Sequence, residues 1–438
     1  MALFSSISKA FIAVSLDLLI LLLFILLKIT VYQQQFFSIN FVLVWIFISY
    51  ICGRYSNEDK SYAVSILSEI IKLFSTLLIS FLVIFILNFK IIESISTISL
   101  NLLIIFFLSS LTTQVIFKIN YFNKKNKYLN WLVLASDEEI KQFRKYLREI
   151  NSPVKLKKLD FKKHDFKFIK KNFRGLIITN NKYIPKEEIQ KIKYLASNYL
   201  LIISKIKWCE NVMQRIPTEL IKEAEITNIG FVNNSKIFGL GLKRIGDLSL
   251  SIFLLFLTSP IILISSILIW ATDQGPIFYS QIRSGYRGKL FRVWKLRSMR
   301  VNAEKDSNPI WASKNDPRIT HIGSFLRKCR FDELPQLINV INGSMSLIGP
   351  RPERPKIEET ISKKIKNYNI RSYVKPGLSG WAQVNYPYGA SILDSKVKSS
   401  YDVFYIKNQS LILDILILFK TIKLVLNVKG SEPIQKDI

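Results

Sequence analysis

The sequence predicts a membrane protein of α plus α/β class. It should have a four-helix N-terminal membrane bundle, a small Rossmann-like α/β domain, and a mainly helical C-terminal domain with a re-entrant membrane helix. Three observations predict this. Four apolar runs of bilayer-spanning length fill the first 118 residues, an alternation of short apolar strands with helices follows, and a fifth apolar run is interrupted by Ser259-Pro260 and carries positive charge at both ends. Domains are expected at 1–118, 119–235 and 236–438, with the re-entrant helix at 245–270.

Residues 11–29, about 36–52, 70–89 and 95–117 approach the roughly 20 apolar residues that span a bilayer as helix. No small-residue cleavage site follows the first run, so it reads as a retained helix and not as a signal peptide. Asp17 within it is either a functional intramembrane acid or one close enough to the helix end to reach the interface. Arg54, Lys60 and Lys72 lie in or beside the second connection, and Lys118, Lys124, Lys125 and Lys127 crowd the exit of the fourth run. The positive-inside rule puts these sides in the cytoplasm, which implies a multi-pass membrane protein with its C-terminal domain on the cytoplasmic face.

From about Asn130 to Asn234 the pattern changes. Trp131 to Ala135 reads as a buried strand, Glu138 to Ile150 as a helix, Leu176 to Thr179 as a strand, Lys186 to Ser197 as a helix and Leu200 to Ile203 as a strand. Ser136-Asp137-Glu138 stands where a glycine-rich turn would let backbone approach a pyrophosphate, so this domain is not expected to use a nicotinamide or flavin.

Leu248 to Trp270 is long enough, at about 1.5 Å per residue, to cross a hydrocarbon core of roughly 30 Å. Pro260 removes a helix hydrogen bond near its middle, and Ser259 can bond back to a freed carbonyl. Lys236, Lys243 and Arg244 precede the run while Arg283, Arg287 and Lys289 follow it, so both ends belong in the cytoplasm and the segment should turn back at Ser259-Pro260. Near the C-terminus, the run from Leu411 to Leu426 is broken by Asp414, Lys420 and Lys423, which favours a helix lying at the interface over a span.

The 62 Lys+Arg residues against 32 Asp+Glu give a net charge of +30 and require an anionic partner. Membrane headgroups and phosphorylated substrates fit better than nucleic acid, because the basic residues alternate with long apolar runs and no nucleic-acid-binding signature is present. Cys52, Cys209 and Cys329 form neither a metal motif nor a disulfide framework, and with only His164 and His321 available, acid-base or nucleophilic work falls to carboxylates. The stretch Arg327 to Arg354 concentrates that chemistry. Asp332-Glu333 precede Pro335 and the helically spaced Leu334, Leu337, Ile338, Val340 and Ile341, close to a helix N-terminus, among Arg327, Lys328, Arg330, Arg351 and Arg354. Gly349-Pro350-Arg351-Pro352 should form a rigid turn that presents an arginine suited to bidentate phosphate contact.

Several motifs together carry a resemblance. They are FDELPQLINV with GSMSLIGPRP, then Gln281-Ile282-Arg283, Lys295-Leu296-Arg297-Ser298-Met299, Asp316-Pro317-Arg318-Ile319-Thr320, Lys375-Pro376-Gly377 and Gly380-Trp381-Ala382-Gln383-Val384-Asn385. From about Lys243 to Lys429 the chain is similar to the monotopic phosphoglycosyltransferases, the bacterial sugar transferases of exopolysaccharide type. The resemblance implies transfer of a sugar-1-phosphate from a UDP-sugar to polyprenol (undecaprenyl) phosphate through a covalent aspartyl-phosphosugar intermediate. UMP would leave, and an exopolysaccharide, capsule or O-antigen-type glycan would begin, with galactose or glucose as the favoured sugar. It implies that Asp332 is the nucleophile and that Glu333 holds the metal or orients phosphates. Lys295, Arg297, Arg327, Pro350 and Arg351 are implied to contact substrate, and Mg²⁺ is the implied cation, with Asp414 as its second carboxylate or else merely capping an interfacial helix. The expected partners are the UDP-sugar, polyprenol phosphate and the lipid bilayer, with a homodimer as the oligomeric expectation. A non-catalytic membrane scaffold or regulator of polysaccharide assembly is the alternative. Two positions depart from the family pattern: Ser344 replaces a frequent aspartate, and Tyr386-Pro387 follow Asn385 where relatives carry an arginine.

Overall fold

A computed structural model describes residues 39–51, 72–77, 130–149, 152–159, 172–179, 186–197, 200–221, 237–301, 316–386 and 391–426, with isolated positions between them. Most of the expected spans 11–29, 70–89 and 95–117 lies outside the described residues, as does the 118/119 boundary. Within this region α1 (Ile39–Ile51) is helical and Asp17 is buried. Its carboxylate accepts hydrogen bonds from Ser110 Oγ at 3.0 Å and Gln114 Nε2 at 3.2 Å, so the acid ties two segments distant in sequence together.

The chain divides into two compact units, residues 1–205 and 206–438. The first contains β1 (Asn130–Leu134), α2 (Asp137–Glu149), β2 (Lys155–Lys158), β3 (Gly175–Ile178), α3 (Lys186–Ser197) and β4 (Leu201–Ser204). The strands form an all-parallel sheet in the order β2-β1-β3-β4, the Rossmann-like arrangement that the alternation of strand and helix predicts. Leu132, Leu176, Ile192 and Leu195 fill its core. At the N-terminus of α2 the Glu139 carboxylate accepts from the Ser136 N–H and the Thr179 hydroxyl, while the Glu139 N–H donates to Ser136 Oγ. A helix end that carries Asp137, Glu138 and Glu139 in its first turn repels a phosphate where a dinucleotide fold would bind one.

The second unit starts at Ile206 rather than at the expected 235/236 boundary, for a physical reason. Residues 206–221 are fastened to C-terminal elements: the Ile216 N–H donates to Ser400 O at 2.8 Å, Trp381 Nε1 to Gln214 O at 2.9 Å, and Asn367 Nδ2 to Thr218 O and Ile221 O. Lys407 and Lys207 flank the buried Glu210, and Trp208 is fully buried. Trp208, Ile216, Leu220 and Ile221 contribute about 1.5–3 kcal/mol each by burial. A fragment beginning at 206 is therefore expected to fold, and one beginning at 236 to melt at least 10 °C lower (roughly) or aggregate. Circular dichroism melts of the two detergent-solubilised fragments check this.

After this strap come α4 (Ile237–Asp273), β5 (Phe278–Ser284), β6 (Leu290–Leu296), α5 (His321–Lys328), α6 (Gln336–Ile341), β7 (Ser346–Ile348), α7 (Pro355–Lys364), β8 (Gly377–Ser379), α8 (Trp381–Asn385), α9 (Ile392–Lys407) and α10 (Leu411–Leu426). β5 and β6 form an antiparallel hairpin, and β7 and β8 pair in parallel. Gly377 makes the second pairing possible, because a Cβ there would lie 2.0 Å from Gly349 N and 2.4 Å from Ser379 O. Gly377→Ala is expected to destabilise the protein by about 3 kcal/mol or more, read as a lowered thermal midpoint.

The helix α4 has 37 residues and is the one described helix long and apolar enough to cross a membrane. The expected break at Ser259-Pro260 is not a break in its secondary structure. Pro260 leaves the Phe256 carbonyl without its backbone donor, and Ser259 Oγ supplies a replacement at 2.7 Å, while Thr258 Oγ1 donates to Leu254 O one turn earlier. Both ends of α4 dock on the second unit. At the first end, Arg244 donates to the Val340 and Ile341 carbonyls at 2.6 and 2.8 Å, and Asp247 accepts from Ser346 Oγ and the Leu347 N–H. At the other, Ile269 packs with Leu296 and Leu326. The middle is bare, with Phe256 81% exposed and Phe253, Leu257, Leu263 and Ile264 also exposed. On α10, Leu413 and Ile417 are buried while Ile412, Ile415, Phe419, Ile422 and Leu426 form an exposed apolar stripe at helical spacing.

Candidate active site

Asp332 and Glu333 sit in a 3₁₀ turn, Phe331–Glu333, between α5 and α6. Arg330 immediately before it adopts φ 61°, a left-handed conformation that costs an ordinary residue about 1 kcal/mol or more. That reversal lets the chain leave α5 and turn both acids toward a cavity of about 610 Å³. Eleven basic side chains and four carboxylates line the cavity, so its field attracts a polyanion.

The two acids are in opposite circumstances. Both are buried. Glu333 accepts a forked pair of bonds from Arg351, a bond from Lys295 Nζ at 2.9 Å and one from Arg330 Nη1 at 3.4 Å. Burial alone would raise its pKa, but Arg351, Lys295 and Arg330 outweigh burial and hold it well below the usual carboxylate range. Asp332 makes no hydrogen bond or ion pair among the described residues. Burial, and then the negative charge of Glu333, push it up, against the opposing pull of Lys295, Arg327 and Arg330. One acid is thus a fixed anion that organises three cations, and the other keeps its oxygens free beside them.

Lys295 is the register partner of Tyr279 across the hairpin, and both line the cavity. Burial lowers the Lys295 pKa, and Glu333 counters that. Arg327, in the last turn of α5, also lines the cavity. Arg297 lies against its wall, 8% exposed, with Nη2 3.5 Å from the Ile269 carbonyl near the end of α4. Arg351 projects from the expected turn. Pro350 is buried and is not part of the cavity lining; its carbonyl accepts the Gly377 N–H at 2.9 Å and so shapes the turn.

Asp414 also lies outside the cavity lining. It is buried, bonded to Lys243 Nζ at 2.8 Å and to the Tyr405 hydroxyl at 2.8 Å. Among the described residues no three His, Cys, Asp or Glu side chains cluster closely enough to hold a metal. Glu333 lines the cavity and Asp414 does not. Asp316 likewise serves its own turn through a forked bond to Arg318.

Sequence reasoning passed over several residues of the cavity wall, including Arg371, Lys398, Asp402 and Glu353. Arg371 stands just before the Lys375-Pro376-Gly377 motif and Asp402 lies within a long helix, so neither has a distinctive neighbour. The one available signal was charge inside otherwise apolar surroundings, as in Tyr401-Asp402-Val403-Phe404.

An exposed apolar helix beside a cation-lined carboxylate cavity defines a membrane-associated protein with a site for a multiply charged anion. Comparison with known proteins is more specific. The sequence model for the bacterial sugar transferases matches residues 238–428. Over 190 residues the chain is 42% identical to the UDP-N-acetylgalactosamine-undecaprenyl-phosphate N-acetylgalactosaminephosphotransferase of Aeromonas hydrophila, covering 43% of this chain and 45% of that protein. It is 42% identical over 182 residues to the UDP-glucose:undecaprenyl-phosphate glucose-1-phosphate transferase of Klebsiella pneumoniae, covering 41% of this chain and 39% of that one. The uncharacterized sugar transferase EpsL of Bacillus subtilis (strain 168) is 38% identical over 191 residues, covering 44% of this chain and 90% of its own length. The chain belongs to the bacterial sugar transferase family. It spans less than half the length of the Aeromonas and Klebsiella relatives.

Proposed function

We propose that this protein transfers a sugar-1-phosphate from a UDP-sugar to undecaprenyl phosphate, releasing UMP and starting a surface glycan. The observation that carries the proposal is the contrast within the dyad: Glu333 is engaged by Arg351, Lys295 and Arg330, while Asp332 faces the same cations with no hydrogen bond or ion pair among the described residues. In the first step an Asp332 oxygen bonds to the β-phosphorus of the donor as the bond from that phosphorus to the UMP oxygen breaks. In the second a phosphate oxygen of the lipid acceptor attacks the same phosphorus and Asp332 leaves as a free carboxylate. Lys295, Arg327 and Arg351 neutralise charge that builds on the non-bridging oxygens.

Mg²⁺ is the proposed cation, supplying charge neutralisation on the pyrophosphate when bound. Glu333 would have to give up one of the bonds it now accepts from Arg351, Lys295 and Arg330 to hold it, with donor phosphate oxygens as the remaining hard ligands. Removal of divalent ions with EDTA is expected to lower UMP release at least about 10-fold, with recovery on added Mg²⁺. A UMP-release assay with undecaprenyl phosphate across UDP-glucose, UDP-galactose and UDP-N-acetylgalactosamine tests the activity and ranks the sugars. No release with any donor contradicts it.

The membrane arrangement we propose is multi-pass in the inner membrane, with α4 entering the inner leaflet and returning. Supporting this, both ends of α4 dock on one body while its middle is bare, and the exposed stripe of α10 offers a second apolar face. Cysteines placed near Asn234 and near Gln281 should both resist an impermeant reagent applied to intact cells. Labelling of the Gln281 side from outside would make α4 a span.

A further inference from the structure

The turn that carries Arg351 is held in an unusual way. Four consecutive carbonyls each have a donor: Pro350 O from the Gly377 N–H at 2.9 Å, Arg351 O from Arg371 Nη2 at 2.6 Å, Pro352 O from Arg283 Nη1 at 3.0 Å, and Glu353 O from the Ser284 N–H at 3.0 Å. Buried carbonyls ordinarily find donors, but these four are drawn from three separate elements, β5, the 3₁₀ turn Tyr368–Tyr373 and β8, which together fix the segment. Two of the four donors are guanidinium groups. Arg371 in particular is buried, stacks on the Tyr368 ring at 5.0 Å, and meets Asp402 Oδ2 at 3.2 Å.

We propose that Arg371, braced by Asp402, is a positioning residue that sets the aim of Arg351 and, through it, the orientation of Glu333 beside Asp332. The inference rests on the transferase reading above and deepens it. A planar guanidinium suits the task, because Nη2 meets both the Arg351 carbonyl and Asp402 while Nη1, held in the same plane, donates to the Tyr368 hydroxyl. Burial pushes Asp402 up to about 6, which leaves the Arg371–Asp402 pair ionic at neutral pH. The Glu353 carboxylate lies 3.9 Å from Arg371 Nη1 and adds to the same hold. If Arg371 slips, the Arg351 fork moves relative to Glu333, and a displacement on the order of 1 Å costs about 100-fold in rate.

The test is a double-mutant cycle on full-length protein in lipid nanodiscs, read as UMP release with undecaprenyl phosphate. Arg371→Ala should lower kcat about 100-fold while the donor KM stays within about threefold, and millimolar guanidinium should restore part of the loss. Arg371→Lys should also lose rate, because an ammonium on a flexible stem lacks the second nitrogen that Tyr368 and Glu353 hold and so leaves the group free to rotate about the carbonyl. Arg351→Gln combined with either change should be no slower than Arg351→Gln alone. Should Arg371→Ala fail to fold, Arg371→Lys carries the cycle. Additive losses, or a raised KM with kcat intact, would overturn the proposal. A wild-type protein without activity on any donor would instead sink the transferase reading.

Discussion

Asp332→Asn is expected to abolish UMP release and covalent labelling together, with turnover falling by at least about 10³-fold. The amide matches the carboxylate in shape and cannot displace UMP from phosphorus. The same substitution should not harm the fold. Burial and the neighbouring Glu333 raise Asp332 above its ordinary value of 3.8. A carboxylate raised in the folded state loses stability as pH climbs past its unfolded value, so removal of the charge should hold or raise the thermal midpoint at neutral pH. Steady-state kinetics and calorimetry on one preparation separate the two effects. A variant that retained both label and turnover would remove Asp332 from the mechanism.

Arg351→Gln is the other large expected loss, about 10²–10³-fold in kcat. Two consequences combine. The transition state loses a fork aimed at developing phosphate charge, and Glu333 loses its strongest partner while staying buried beside Lys295 and Arg330. Arg351→Lys should fall between wild type and Gln, since an ammonium neutralises charge but cannot bridge both oxygens of Glu333. A full rescue by Lys would mean that only net charge matters at this position.

The sequence made some of this legible and hid the rest, for identifiable reasons. Strand alternation at Trp131 to Ala135 and Leu176 to Thr179 was readable because a parallel sheet buried on both faces needs continuous apolar runs, and the sheet formed in those places. The dyad was readable because two acids before a proline in so basic a setting have few structural uses. The strap at 206–221 was not, since much of its hold uses its own backbone groups at Gln214, Ile216, Thr218 and Ile221, and the Ser400 carbonyl that accepts the Ile216 N–H leaves no mark in composition. The partners of Asp414 were hidden for a related reason. An acid in an apolar helix reads as a ligand or a cap, and only the folded chain shows that Lys243 and Tyr405 reach it. Pro350 sat beside a binding arginine in sequence, yet a turn points neighbouring side chains in different directions.

The central claim is that Asp332 becomes covalently attached to the sugar phosphate. The direct measurement is intact-mass spectrometry of the purified protein after incubation with the preferred UDP-sugar and Mg²⁺, without lipid acceptor, followed by peptide mapping. The account predicts a mass increase of one sugar phosphate per chain, mapped to Asp332, absent in Asp332→Asn and discharged when undecaprenyl phosphate is added. An unmodified protein that nevertheless turns over donor and acceptor together would contradict it, because transfer would then proceed in one displacement with no aspartyl intermediate.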